Sequence, residues 1–125
     1  LIENSIDKIN GKAFYGLLKL EELNLSKNKL FKIDKIYFIY LERLELLILN
    51  SNYLFNLEDQ FTNRSSKIIS LFLDDNRLIE LKQNAFRGFQ TLLTLHLSNN
   101  FIRVIYNNLF QDLRYLLFLD LSNNN

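Results

Sequence analysis

One asparagine recurs every 24 residues along the chain, and this interval is kept from one end of the sequence to the other. A strict period of this length indicates a repeat architecture in which each repeat is one structural unit. Such units bury their apolar faces by stacking on their neighbours, which predicts a solenoid. The recurring residues, called the asparagine ladder below, are Asn4, Asn28, Asn52, Asn76, Asn100 and Asn124.

Hydrophobic residues occupy fixed positions relative to each ladder asparagine. Isoleucine or leucine lies two and five residues after it, and further apolar positions follow at 16, 19 and 21 residues. The last two alternate with a variable residue, which is the pattern of a strand with one buried face. Leu95 and Leu97 are therefore predicted to point inward and His96 to point outward. Each repeat adds one strand to a parallel sheet.

A tight turn follows each strand, and its backbone groups cannot pair within the sheet. A buried asparagine offers both a carbonyl oxygen and an amide group, so the ladder is predicted to be structural. Most intervals also carry Phe ten residues after the asparagine and an apolar residue three places later, which predicts a stacked spine on the outer side. The spine positions are Phe14, Phe38, Phe86 and Phe110, followed by Leu17, Leu41, Phe89 and Leu113.

These columns together give LxxLxLxxNxLxxLxxxxFxxLxx, and on that pattern the chain resembles the leucine-rich repeat family, in its 24-residue class with a phenylalanine spine. The resemblance implies an α/β solenoid, a horseshoe with a parallel β-sheet on its concave side and short helical, 3-10 or extended segments on its convex side. Residues 1–125 form one array of about five repeats. Because the open ends of such arrays normally carry polar caps and neither end shows one, we expect an interior fragment of a longer array.

The third interval departs from the pattern. Its phenylalanine, Phe61, comes one place early, and Ser65 occupies the next apolar position within a polar run over residues 62–67. Two interpretations remain open, a tolerated irregularity on the convex side and a local bend or contact site.

Composition excludes several classes of partner. The net charge is +1 and the charged residues are interleaved, so the basic patch that is typical of nucleic-acid binding is absent and no nucleic-acid partner is expected. The chain has no Cys, which excludes disulfides and thiolate metal sites within it. Its longest apolar runs are far shorter than the roughly 20 residues that cross a bilayer, so no membrane contact is expected from this segment.

The outward positions of the strands form the candidate binding surface. Three large apolar side chains are predicted to lie together on adjacent strands, with acidic residues and the histidine at one edge. Such a patch often marks a protein contact, although β-branched and aromatic residues favour strands in any case and can pack laterally on a sheet. The candidate contact residues are Leu46, Ile48, Phe72, Asp74, Asp75 and His96.

Chemistry at this surface is not expected. His96, Ser98 and Asp120 face the same way, but an open sheet offers neither an oxyanion hole nor a pocket, so no enzyme and no cofactor are predicted. A single histidine makes a transition-metal site unfavourable. Asp74 and Asp75 with Asp120 form a weaker candidate for calcium, and a solvated acidic edge is the favoured interpretation.

The resemblance points to extracellular and cell-surface proteins, namely Toll-like receptors and Slit-like or chaoptin-like adhesion proteins. It implies a protein–protein recognition module in a receptor or adhesion ectodomain that binds a protein ligand on its concave face. The alternative is an intracellular, cytoplasmic scaffold or a regulatory domain attached to a signalling enzyme. Two sequons, at Asn24 and Asn63, are candidate N-glycosylation sites and slightly favour the extracellular placement.

Overall fold

A computed structural model describes residues 1–57 and 67–125, in which the chain winds into a solenoid of parallel strands. The predicted leucine-rich repeat horseshoe is confirmed. The elements in chain order are β1 (Glu22–Asn24), a 3-10 helix (Lys35–Tyr37), β2 (Leu46–Ile48), β3 (Ser70–Phe72), β4 (Glu80–Leu81), β5 (Thr94–His96), β6 (Val104–Ile105) and β7 (Phe118–Asp120).

The concave sheet contains five strands in the order β1-β2-β3-β5-β7, all parallel. Each strand pairs with the strand one repeat away at an offset of 24 residues; for example, Leu71 pairs with Leu95. Because the offset never changes, residues at the same position of each repeat lie side by side across the sheet. A column of the sequence therefore becomes a row on the surface.

The return segments are short and mostly irregular. Besides the 3-10 helix, β4 and β6 form a separate two-stranded parallel sheet in which Glu80 pairs with Val104 and Leu81 with Ile105. This agrees with the predicted mixture of 3-10 and extended convex segments. The irregular third interval, with Phe61 and Ser65, lies outside the described residues.

The core consists of the inward leucines and the aromatic spine. Leu71, Leu73, Leu95 and Leu97 are completely buried, as the strand alternation predicts. In the spine, the rings of Phe86 and Phe110 stack with their centroids 6.1 Å apart. The structure corrects one spine position: Leu17 is 45% exposed, whereas Leu41, Phe89 and Leu113 are buried.

The asparagine ladder joins each turn to the preceding repeat. The Asn76 amide donates to the carbonyls of Leu73 and Asp74 in its own turn, at 3.1 and 3.2 Å, and to Leu49 one repeat earlier at 3.0 Å. Its Oδ1 accepts from the Leu54 N–H at 3.1 Å. The same bonds recur at Asn28, Asn52, Asn100 and Asn124.

Asn4 is the exception in the ladder. Its amide donates to the carbonyl of Ile2 at 2.9 Å, and its side chain is exposed. Its described bond therefore differs from the cross-repeat bonds that Asn76 makes.

Each residue directly before a ladder asparagine has a left-handed backbone, with φ between 53° and 58°. None of these residues is glycine, although left-handed φ is unfavourable for other residues and least so for Asn and Asp. The conformation aims the backbone N–H at the next repeat: Lys27 N–H donates to the carbonyl of Asn50 at 2.9 Å. The column consists of Glu3, Lys27, Ser51, Asp75, Asn99 and Asn123.

Replacing Lys27 by asparagine should stabilise the fold. We expect Lys27→Asn to raise the free energy of unfolding by about 0.5–1 kcal/mol, because asparagine tolerates the left-handed conformation better than lysine. The exposed ion pair between Lys27 and Glu3, at 3.3 Å, is lost but contributes little. Urea unfolding followed by circular dichroism measures the change. Lys29→Asn, at an exposed position outside the left-handed column, should give no gain, and an equal gain in both variants would contradict the explanation.

Candidate binding surface on the concave sheet

The predicted apolar residues lie together on the concave sheet. Leu46 and Ile48 project from β2 and Phe72 from β3, and all three are half-buried. Ile48 pairs directly with Phe72, and Leu46 pairs with Ser70. These three apolar residues, called the concave patch below, form a continuous surface on rigid strands.

His96 extends the concave patch as the middle ring of an aromatic stack. Its ring is stacked on Phe72 with centroids 4.5 Å apart and an interplanar angle of 17°, and it packs on Phe118 at 4.9 Å. Phe118 is 49% exposed, and the sequence pattern does not single it out. Its backbone partner in the sheet is Thr94, so its contact with His96 is diagonal and is not visible from the repeat alignment.

Asp74 requires a correction. The sequence places it at the solvent-exposed edge of the patch, but in the structure the residue is only 9% exposed. Its Oδ1 accepts from the backbone N–H and the hydroxyl of Ser98, at 2.9 and 2.8 Å. Its own N–H donates to Oδ1 of Asn50 at 3.0 Å. Asp74 therefore belongs to a row of hydrogen bonds at the strand ends, whereas its neighbour Asp75 is exposed.

Two carboxylates approach the histidine. Asp74 Oδ2 is 3.9 Å from His96 Nδ1, and Asp120 pairs with His96 across β5 and β7. One potential ligand atom from each of the three residues lies within 4.8 Å of the others. The pKa of the Asp120 carboxyl lies below its ordinary value because the Ser122 hydroxyl and N–H donate to it, with a smaller contribution from His96. The structure thus places Asp74 and Asp120 around His96 and leaves Asp75 outside the group.

The hydroxyl of Ser98 is directed at Asp74. It donates to Asp74 Oδ1 at 2.8 Å, so it is not aligned on the imidazole as a nucleophile would be on its general base. His96 itself is held between two phenyl rings. The geometry therefore provides none of the hydrogen-bonded order that a catalytic triad requires.

Of the two candidate glycosylation sites, one is described by the structure. Asn24 is half-buried in β1, and its Oδ1 accepts from the N–H and the hydroxyl of Ser26 at 3.0 and 2.7 Å. The sequon at Asn63 lies outside the described residues. A glycan on Asn24 would extend from the edge of the concave sheet.

A second apolar surface was not anticipated from the sequence. In the segments that directly follow the ladder asparagines, five large apolar residues are 42–54% exposed. Each of them lies either one or three places after a ladder asparagine, so an alignment of the repeats could have revealed them. Backbone bonds such as Phe101 N–H to the Leu78 carbonyl, at 2.9 Å, hold consecutive repeats side by side. This surface, called the flank stripe below, comprises Phe31, Tyr53, Phe55, Ile79 and Phe101.

The guanidinium of Arg77 adds a cation to the flank stripe. Its Cζ lies 4.1 Å from the centroid of the Tyr53 ring, within the range of a cation–π interaction. Aromatic and arginine side chains are the residue types that contribute most to protein interfaces. The flank stripe therefore has the composition of a contact surface.

Comparison with known families settles the family of the chain. The sequence model described as leucine rich repeat matches residues 1–54 and 66–125. The chain belongs to the leucine-rich repeat family. Comparison with curated protein sequences gives no match. Within the described residues, no helix is long and apolar enough to span a membrane.

Among solved structures, this leucine-rich repeat chain is similar to TLR13 in its complex with ssRNA13, with a TM-score of 0.93, 37% identity and 99% of the chain covered. It also resembles the Drosophila Toll–Spatzle complex, with a TM-score of 0.83, 25% identity and 97% of the chain covered. The leucine-rich repeat domain of APL1B shares the fold, with a TM-score of 0.85 at 21% identity over 96% of the chain. The predicted resemblance to Toll-like ectodomains is confirmed.

Two consequences limit what these similarities mean. The chain spans 18% of the TLR13 and Toll chains and 34% of the APL1B chain, so the comparisons concern one segment of those proteins. The TLR13 structure is a complex with RNA, so the expectation that nucleic acid is excluded as a partner finds no support in the comparisons.

Proposed function

We propose that this chain is a protein-recognition segment of a receptor-like ectodomain, and that it binds by surface complementarity without chemistry. The proposal rests on the concave patch and on His96, which extends the patch. Ile48 and Phe72 are paired on adjacent strands, and the ring of Phe72 stacks on His96. Aromatic anchors on a rigid surface lose little conformational entropy when they bind, which favours their use in recognition.

The flank stripe supports the same proposal. Its five side chains are large, apolar and about half exposed on consecutive repeats. Monomeric soluble proteins rarely expose contiguous apolar surface of this kind unless it contacts another molecule. A protein ligand that covers the concave patch and one side of the solenoid would bury both surfaces.

The charges on the concave sheet favour a protein over RNA. The described strands β1, β2, β3, β5 and β7 contain neither Lys nor Arg, while Glu22 and Asp120 project from the outermost two. Affinity for a phosphate backbone depends on neutralisation by Lys and Arg. The described strands of the concave sheet therefore offer no Lys or Arg to a phosphate backbone.

We infer an extracellular placement from the likeness to TLR13 and Toll together with the two sequons. The runner-up is an intracellular scaffold or a regulatory repeat domain attached to a signalling enzyme. In either case the segment acts through its surface, and the difference lies in the compartment and in the partner.

Binding should depend on the concave patch. We would screen the purified protein against a panel of secreted and cell-surface proteins, and in parallel against a short single-stranded RNA. We expect a saturable protein partner whose affinity falls about 10-fold or more in Ile48→Ser and Phe72→Ser, because each change removes a central apolar contact. RNA should not bind saturably at physiological salt.

Tyr115→Ser is the matched control, since Tyr115 is an exposed aromatic residue, 66% accessible, outside both the concave patch and the flank stripe. It should leave the affinity unchanged. A partner that loses affinity equally in the control, or saturable binding of RNA without a protein partner, would overturn the proposal. Circular dichroism establishes that each variant is folded.

The extracellular placement predicts glycosylation. Mass spectrometry of glycopeptides from the protein purified from its own cells should find an N-linked glycan at Asn24 or Asn63, because those sequons meet the modifying enzyme only in the secretory pathway. Two bare sequons would favour the intracellular alternative. Glycan on Asn24 would also restrict access to the β1 end of the concave sheet and move the expected contact toward β3 and β5.

A further inference from the structure

In the group formed by Asp74, His96 and Asp120, Oδ2 of the largely buried Asp74 accepts no hydrogen bond from the part of the chain that the structure describes. Asp74 Oδ1 receives both hydrogen bonds from Ser98. Asp74 Oδ2 instead faces His96 Nδ1 at 3.9 Å, a distance longer than a hydrogen bond. The residue is 9% exposed and its side chain 13%, so the carboxylate has limited contact with water. A buried carboxylate charge is costly unless a cation or a donor is close to it.

The aromatic stack fixes the imidazole in place. Phe72 and Phe118 cover its two faces, with ring centroids at 4.5 and 4.9 Å. The ring edge, which carries the nitrogen atoms, remains available to the carboxylates on either side. A metal ion binds an imidazole nitrogen in the plane of the ring, so a ring held by its faces presents its nitrogen in a defined direction.

The distances are close to those of a coordination shell. Zinc binds nitrogen and oxygen at about 2.0–2.2 Å, which puts tetrahedral ligand atoms roughly 3.3–3.6 Å apart. The pair Asp74 Oδ2 and His96 Nδ1, at 3.9 Å, nearly meets this spacing. The whole set lies within 4.8 Å, which is about 1 Å wider than the spacing in such a shell. Asp120 is more exposed than Asp74, and an inward movement of its carboxylate would exchange a hydrogen bond from Ser122 for the metal ion.

We propose that Asp74, His96 and Asp120 form a binding site for a divalent transition-metal ion of the zinc class on the concave surface. An imidazole nitrogen suits zinc, copper or nickel, whereas calcium and magnesium prefer oxygen ligands throughout. Three protein ligands leave a coordination position for water or for a donor atom of a bound partner. The sequence argued against such a site on the ground of its single histidine, because the approach of two carboxylates from neighbouring repeats becomes visible only in the fold.

The test uses zinc chloride and calcium chloride as probes on the purified protein. Isothermal titration should show saturable binding of one zinc ion, and calcium at the same concentration should give none. His96 is the one histidine of the chain, so its imidazole ¹⁵N resonances are assigned without ambiguity. They should shift on addition of one equivalent of zinc and stay unchanged with calcium.

Three variants separate the site from general charge effects. His96→Phe retains an aromatic ring between Phe72 and Phe118 and removes the nitrogens, and Asp120→Asn removes one carboxylate. Each should weaken zinc binding about 10-fold or more, because one of three ligands is lost. Asp75→Asn is the matched control: it removes an exposed charge adjacent to Asp74 but outside the group, and should bind as the wild type does.

The proposal is overturned if zinc does not bind saturably, if His96→Phe binds as tightly as the wild type, or if calcium shifts the imidazole resonances as zinc does. Equal losses in Asp75→Asn and Asp120→Asn would also overturn it, since they would indicate diffuse attraction to acidic residues. The resonance measurement needs only the wild-type protein, so the test does not depend on any variant folding. The site is independent of the proposed function, because metal binding is measured without a partner.

Discussion

A parallel sheet whose strands are three residues long leaves a turn at each strand end with backbone groups that no neighbouring strand can pair. The asparagine ladder supplies those partners. Asn76 bonds to two carbonyls of its own turn and to a carbonyl and an N–H of the preceding repeat. Because buried polar groups are costly when unpaired, these bonds allow the turns to be buried and fix each repeat against the last. The 24-residue register of the sheet depends on them.

That register determines which side chains meet on the surface. Phe72, His96 and Asp120 occupy the same position of three successive repeats and lie side by side on β3, β5 and β7. The repeat places its variable residues in rows. For this reason His96 stacks on its aromatic neighbours and lies close to two carboxylates. The family fold provides the rows. The residues at the variable positions give this segment its concave patch, the acidic residues of β1 and β7, and the cluster of Asp74, His96 and Asp120.

The sequence predicted those parts of the structure that burial and period determine. The strand direction, the inward leucines and the position of the concave patch follow from columns that alternate or repeat. The left-handed column could not be predicted, since Glu3 and Lys27 do not favour that backbone and the neighbouring hydrogen bonds impose it. The sequence did not predict the burial of Asp74, because a charged residue next to a turn is normally exposed. Its hydrogen bond from Ser98 is visible only in the structure. Phe118 reaches His96 diagonally, which column alignment does not reveal.

The dependence of the fold on the ladder is tested most directly by comparing Asn76→Leu with Asn10→Leu. The two substitutions are chemically identical, but Asn76 is buried with cross-repeat bonds, whereas Asn10 lies outside the ladder and is exposed, and its Oδ1 accepts from the nearby Lys12 N–H. Denaturant unfolding should show a loss of at least about 3 kcal/mol for Asn76→Leu and less than about 0.5 kcal/mol for Asn10→Leu. Hydrogen exchange at Leu54, whose N–H donates to Asn76, should accelerate in the first variant. Equal, small losses in both would show that leucine packing maintains the register without the ladder.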